Sequence, residues 1–263
     1  MKKIRVMGVA MMAAIVMLFS SCLGDTSTIR EYRFVPAVVT YIGGYSKIGA
    51  ETIMGTLYVP ELDNLAYMEG DCIWLSFQYD SEDPNNVNEQ ANGYSYVKLL
   101  TNPTAIDKGF FIDDAPDLEE KMNGEIPLLY GSYNMGNYQY FSILNNYLFM
   151  TSVFKGKEGQ GNRWQLYYDR NAGPRNVDGT NVYTFYVRAV MTKEGTANET
   201  NYESMNAFPV NSVISQINDS EFNQGNSSFG MEFKFVEKFD EEGKPVWSES
   251  PEVVTYSTYN SQQ

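Results

Sequence analysis

The chain of 263 residues contains no histidine. Histidine is the side chain whose ordinary pKa lies near neutrality, so its absence removes the usual general base. Ser-His-Asp and Cys-His nucleophilic catalysis are excluded, as is any zinc site built on imidazole. Cysteine is nearly as scarce. Two are present, Cys22 and Cys72, too few for a zinc site of four thiolates. Cys72 lies in the apolar run Cys72-Ile73-Trp74-Leu75-Ser76-Phe77, where a lone thiol reads as a small buried hydrophobe rather than a nucleophile. Positive charge is also short: 19 Lys and Arg against 33 Asp and Glu give a net charge of −14. Such a surface repels nucleic-acid phosphates and anionic headgroups, so no nucleic acid is expected as a partner. No motif calls for a metal or another cofactor.

A membrane-spanning run is missing too. The longest uncharged apolar stretch, Val6 to Phe19, has 14 residues, below the roughly 18 needed to cross a bilayer. It follows Lys2, Lys3 and Arg5 and precedes Ser20-Ser21-Cys22. A basic start, a short apolar core and small residues describe a secretory signal peptide over residues 1–21. A signal that ends on cysteine resembles that of a bacterial lipoprotein, in which the cysteine is lipidated and becomes the new N-terminus. Phe19 departs from the commonest such motif, where Leu is usual, while the Ser-Ser-Cys ending is familiar among Bacteroidetes. The expectation is lipidation at Cys22 and attachment to the outer membrane, with the periplasmic side and the cell surface both open. Removing the signal takes away three basic residues and brings the net charge to −17. The membrane partner is then reached through acyl chains rather than a basic patch; one chain anchors marginally, two or more stably. The resemblance implies three.

What is abundant is aromatic. Twenty Tyr, fifteen Phe and three Trp, with plentiful Gly and Asn, make a β-protein composition. Residues 22–33 read as a polar tether. Between 34 and 114, five short strands are expected: Phe34–Ile42, Ile53–Val59 ended by Pro60, Cys72–Tyr79, Tyr94–Leu100 and Ile106–Ile112. Asp80 to Gly93 is a long polar loop. Five strands in about eighty residues fit a small OB-type barrel. Residues 115–131 read as a linker with a short helix, since Asp114 can cap, Pro116 suits a first turn, and Asp117, Glu119 and Glu120 favour a helix N-terminus. From 132 to 263 the alternating strands lengthen: Tyr138–Leu144, Tyr147–Phe154, Arg163–Tyr168, Val182–Val190, Val210–Ile217, Phe229–Val236 and Glu252–Ser257. They predict an immunoglobulin-like β-sandwich. The fold class is all-β, a small barrel followed by a sandwich.

This order, carried by Gly70-Asp71-Cys72-Ile73-Trp74-Leu75-Ser76-Phe77, Tyr94-Ser95-Tyr96-Val97-Lys98, Ser142-Ile143-Leu144-Asn145-Asn146-Tyr147-Leu148 and Arg163-Trp164-Gln165-Leu166-Tyr167-Tyr168, resembles the NigD-like lipoproteins of Bacteroidetes. The resemblance covers nearly all of the mature chain. It implies an OB-like domain before a β-sandwich, and no established enzymatic activity. The family takes its name from a bacteriocin gene cluster, where an immunity role has been suggested. Two family features are absent here: a histidine near Arg163 and an acidic stretch after the cysteine. No catalytic residue carries over from the resemblance.

Four groups invite a functional reading. Ser152-Val153-Phe154-Lys155 matches the Ser-x-x-Lys of β-lactamases, but in a strand positions i and i+3 face opposite ways, and the companion motifs are missing. Asp80, Glu82, Asp83, Asn85 and Asn86 offer oxygens to calcium, but their spacing is not that of an EF-hand loop, and a solvated acidic loop explains them. Paired carboxylates for glycoside hydrolysis cannot be picked out. The fourth group is Tyr130, Tyr133, Tyr138, Tyr140 and Tyr147 with Phe141, around the expected domain junction. Exposed, they would stack on sugars or anchor a protein; buried, they are ordinary sheet core. Tyr133, Tyr138 and Tyr140 are singled out for binding. The expected function is that of a non-enzymatic, lipid-anchored envelope protein that binds another envelope protein or a glycan. The alternative is a carbohydrate-binding accessory of an outer-membrane glycan-uptake system.

Overall fold

The structure, a computed structural model, describes residues 28–44, 47–132, 142–196, 198–248 and 253–259. Cys22, Tyr133, Tyr138 and Tyr140 lie outside the described residues.

The first sheet holds β1 (Ile29–Ile42), β2 (Lys47–Thr52), β3 (Gly55–Tyr58), β4 (Cys72–Asp80), β5 (Ser95–Leu99) and β6 (Thr104–Ala105). Its neighbours run β1-β2-β3-β5-β4, and β1 also pairs with β4, which closes five strands into a barrel. This is the expected OB-like domain. Strand β1 closes it by serving two partners: Ile29 to Val38 run along β4, and Val38 to Ile42 along β2. The change of partner follows a bulge between Tyr32 and Val35, where Phe34 takes φ 53°. A bulky L-residue in that left-handed region costs about 1–2 kcal/mol. The bulge bends the strand, and the Phe34 amide donates to Ser76 Oγ at 3.1 Å. Residues 29–33, expected in the tether, are already strand.

The period of two in β4 decides what each face meets. Ile73, Leu75 and Phe77 point into the barrel with Ala37, Val39, Leu57 and Val97. Cys72 and Trp74 point outward, into a separate cluster with Val38, Ile106, Leu144, Phe149, Met205 and Ala207. That cluster joins the barrel wall to the second half of the chain.

The stretch 106–112, expected as the fifth barrel strand, goes elsewhere. It breaks into β7 (Asp107–Lys108) and β8 (Phe110–Ile112). β7 pairs in parallel with β16 (Thr200–Pro209), and β8 in parallel with β13 (Gly161–Tyr168). The break falls at Gly109, where an added Cβ would stand 2.2 Å from the Phe208 ring. The chain thus leaves the barrel by stitching into two different sheets.

Those sheets form the sandwich. One holds β7, β10 (Leu128–Ser132), β11 (Ser142–Leu144), β12 (Tyr147–Gly156) and β16. The other holds β8, β9 (Glu125–Ile126), β13, β14 (Arg175–Val177), β15 (Thr180–Lys193), β17 (Ser228–Phe239), β18 (Pro245–Trp247) and β19 (Val254–Ser257). Leu148, Met150, Phe154 and Phe208 from the first meet Trp164, Leu166, Phe185, Val187, Phe229 and Phe233 from the second. β15 and β17 run parallel, which sets this sandwich apart from a purely antiparallel immunoglobulin sheet.

Two expectations about helices are reversed. Val210–Ile217, read as a strand, lies at the start of a 13-residue helix, Asn211–Asn223. Its β-branched residues mimic a strand, but Val210, Val213, Ile214 and Ile217 are spaced at i, i+3, i+4 and i+7, and all four are buried against the sandwich. The helix expected within 115–131 does not form. Asp117 does cap, its Oδ1 accepting from the amides of Glu119 and Glu120 at 2.9 and 3.0 Å. The carbonyls of Asp117 and Glu120 that would continue a helix are instead taken by the Arg188 guanidinium, each at 2.7 Å. Arg188 is buried and also grips Glu125 at 2.5 and 2.7 Å. Trp247 adds a bond from Nε1 to the Leu118 carbonyl at 3.0 Å. The connector is held by side chains of distant strands, which local propensity cannot register.

Candidate functional site

A cleft of about 500 Å³ opens where barrel and sandwich meet. One wall is the hairpin between β11 and β12. Its two turn residues, Asn145 and Asn146, have φ 40° and 77°, as a two-residue hairpin turn with both residues left-handed requires. Asn tolerates this region better than other side-chain-bearing residues. The Asn146 carbonyl accepts the Val210 amide at 3.0 Å, which ties the hairpin to the start of the helix. Pro209, Asn211 and Ser212 continue that wall. Val210 occupies the N-cap position and supplies no side-chain oxygen to the first-turn amides.

The barrel supplies the facing wall through Glu69 and Gly70. Their turn is fixed by the Gly70 amide donating to Val39 O at 2.8 Å and by the Met68 amide donating to Asp71 Oδ2 at 2.9 Å. Gly70 has φ 84°, a conformation that favours glycine. Tyr147, half-buried, lines the cleft from β12. Lys108 Nζ stands 5.4 Å from the centre of its ring and 3.7 Å from Asp71 Oδ1. The lining contains amides, a hydroxyl, one carboxylate and an aromatic ring, and no Lys or Arg.

A second aromatic surface lies on the barrel wall. Lys47 Nζ sits over the rings of Tyr58 and Tyr94, 4.6 and 5.1 Å from their centres, and donates to Tyr94 Oη at 2.9 Å. That hydrogen bond is the main cause that holds the Lys47 pKa above its ordinary value. Tyr96 extends the group, 6.1 Å from Tyr58 between ring centres. These rings already spend their faces on each other and on lysine.

The other sequence candidates disperse. Ser152 is buried in β12 while Lys155 is exposed, so the two do not meet. The acidic loop satisfies itself. Asp80 Oδ1 accepts from the Glu82 amide and Thr28, Asp83 Oδ1 accepts from Asn85, and Asn86 clamps the backbone of Asp80 and Tyr96. Among the described residues no group of three or more Cys, Asp and Glu stands together as a metal site. Asp113 is drawn to Arg170. Cys72 is buried, and burial pushes its thiol up to about 12, which keeps it protonated and inert.

Of the aromatic group read from the sequence, Tyr147 reaches the cleft. Asn145, Asn146, Glu69 and Ser212 were not picked out. The Asn-Asn pair between apolar runs is a legible turn signal, whereas its meeting with Glu69, some seventy-five residues earlier, is not.

Residues 28–103 match the lipoprotein OB domain family. No curated protein matches the chain. Among solved structures, an uncharacterized protein from Parabacteroides merdae superposes with a TM-score of 0.75 at 21% identity, covering 86% of this chain and 99% of that one. A candidate lipoprotein from Bacteroides fragilis gives 0.55 at 14%, covering 88% and 100%. A NigD-like immunity protein from Bacteroides caccae gives 0.44 at 11%, covering 89% and 99%. The first two share the fold across barrel and sandwich together. Residues 28–103 thus match the model of the lipoprotein OB domain family, in line with the sequence resemblance, and the described residues share the two-part fold of the Parabacteroides merdae and Bacteroides fragilis proteins.

Proposed function

We propose that the protein is a non-catalytic binding protein of the cell envelope, lipid-anchored through Cys22, and that the junction cleft receives its ligand. The observation that carries this reading is the cleft itself: it lies between two domains, has the volume of a small-ligand site, and converges polar groups from three separate elements. Its chemistry favours a neutral, hydroxyl-rich ligand. Side-chain amides both donate and accept, so a pair of them suits vicinal hydroxyls. Glu69 accepts from hydroxyls and repels anions, and the Tyr147 ring offers an apolar surface against which a sugar ring can lie. This supports the carbohydrate-binding reading over an immunity role. Outer-membrane placement is part of the same proposal.

The test is a titration of the soluble Leu23–Gln263 form with a panel of polysaccharides and of envelope proteins. Asn146→Gly keeps the left-handed turn and removes the amide; with Ser212→Ala it is expected to weaken saccharide binding at least tenfold while leaving the melting temperature near wild type. A confirmed ligand that binds both variants as tightly as wild type would place the site elsewhere.

A further inference from the structure

The two ends of the barrel differ. One end, the turn through Glu69 and Gly70, faces the sandwich. The other is the end at which the described chain begins. Ile29 pairs with Asp80, the last residue of β4, and the Ser81 amide donates to the Thr28 carbonyl at 3.2 Å. β2 runs antiparallel to β1 from the pair Ile42–Lys47 to the pair Val38–Glu51, so the β2–β3 turn at Ile53 and Met54 lies toward this same end. The β4–β5 loop starts here as well. A cavity of about 130 Å³ lined by Tyr32, Met54, Tyr79 and Glu89 puts the turn and the loop across one mouth from each other.

The rim of this mouth is apolar where it projects. Ile53 is 56% exposed, Met54 43%, Ile29 46%, and Val87 in the β4–β5 loop 74%. They come from three separate segments, and none is needed to fill the barrel. Glu31, Glu51, Asp80, Glu82, Asp83 and Glu89 lie in or beside the same segments, with Arg30, Arg33 and Lys98 as the basic residues, Arg33 paired to Glu31 and Lys98 to Asp83.

We propose that this rim rests in the interface of the membrane that holds the protein, with Ile53 and Met54 inserted among the headgroups of a zwitterionic leaflet. The inference rests on the lipid anchor at Cys22. Five residues separate Cys22 from Thr28, and the six Cα-to-Cα steps between them span at most about 22 Å, so the rim is the part of the fold held nearest the acyl chains. Apolar side chains held there lose water contact by entering the interface, as the exposed face of an interfacial element does. Carboxylates outnumber Arg30, Arg33 and Lys98 around the rim, and this net negative charge disfavours an anionic surface, which selects phosphatidylethanolamine over phosphatidylglycerol. The junction cleft, at the other end of the barrel, is thereby turned away from the bilayer.

The experiment places a polarity-sensitive dye on Ile53→Cys and, separately, on the exposed Asn171→Cys of the sandwich; buried Cys72 does not compete for label. The lipidated protein is reconstituted in phosphatidylethanolamine and phosphatidylcholine vesicles carrying brominated acyl chains. The dye at 53 is expected to shift to the blue and lose at least half its intensity to bromine quenching, and the dye at 171 to do neither. A parallel sample carries an N-terminal polyhistidine tag in place of the lipid and is held on nickel-chelating vesicles. If mass spectrometry finds no acyl group on Cys22, the anchor reading fails while this tethered sample still tests the rim. Equal emission from positions 53 and 171 on both kinds of vesicle overturns the proposal.

Discussion

Arg188 and Glu125 show how much one buried pair can organise. The guanidinium makes two bonds to Glu125 and two to connector carbonyls, and both side chains are almost fully removed from water. Replacing both by apolar groups could be neutral, but removing one leaves an uncompensated charge. Arg188→Ala is expected to destabilise the protein by about 3–5 kcal/mol in chemical denaturation. It should also free residues 113–124 for early proteolysis; a variant within 1 kcal/mol of wild type would deny the pair this role. Glu232 gives a prediction in pH. Burial alone would raise its pKa, but Arg175 and Thr184 bind the carboxylate, and the balance holds it below the ordinary Glu value. A depressed carboxylate contributes stability that is fully present above its unfolded pKa, about 4.3, and is lost as pH falls through the lower folded value. The stability difference between wild type and Glu232→Gln should therefore be constant above about pH 5 and shrink below about pH 4. A difference independent of pH would show that the carboxylate charge is not what matters.

At the scale of elements, the segment 106–112 decides how barrel and sandwich are joined. β7 and β8 are too short to hold by themselves, and each is secured by a parallel neighbour in a different sheet. Gly109 lets the backbone pass against Phe208. Gly109→Ala is expected to cost about 1–3 kcal/mol, the range for overpacking a filled core, because the ring is buried and has no free direction to move. A calorimetric scan that finds the melting temperature unchanged would show that Phe208 can give way. The helix Asn211–Asn223 teaches a related lesson. Its β-branched face looks like a strand by residue type, and only the spacing of Val213, Ile214 and Ile217 distinguishes it.

For the whole molecule, the anchor and the cleft are the two ends of one functional reading. Changing Cys22 to Ser is expected to leave an unlipidated protein in the soluble fraction, while the wild type takes up a fatty-acid analogue and sediments with membranes. Unchanged detergent partitioning of the variant, with no label on the wild type, would remove the anchor and with it the envelope placement.

The sequence by itself determined the exclusion of histidine-dependent chemistry, the predominance of strands and the barrel-then-sandwich order. These follow from local properties: residue types, and the period of two that places Ile73, Leu75 and Phe77 on one face. Tertiary structure decided what each face met. Cys72 and Trp74, one step out of register with those three, became the contact between the two halves. Asp117 and Glu120 gave their carbonyls to an arginine more than sixty residues away and lost a helix to it. The cleft belongs to the same class. Glu69, Asn146 and Ser212 come from a barrel turn, a hairpin and a helix, and no local pattern encodes a meeting of three segments whose separation is bridged only when the apolar cluster between barrel and sandwich closes.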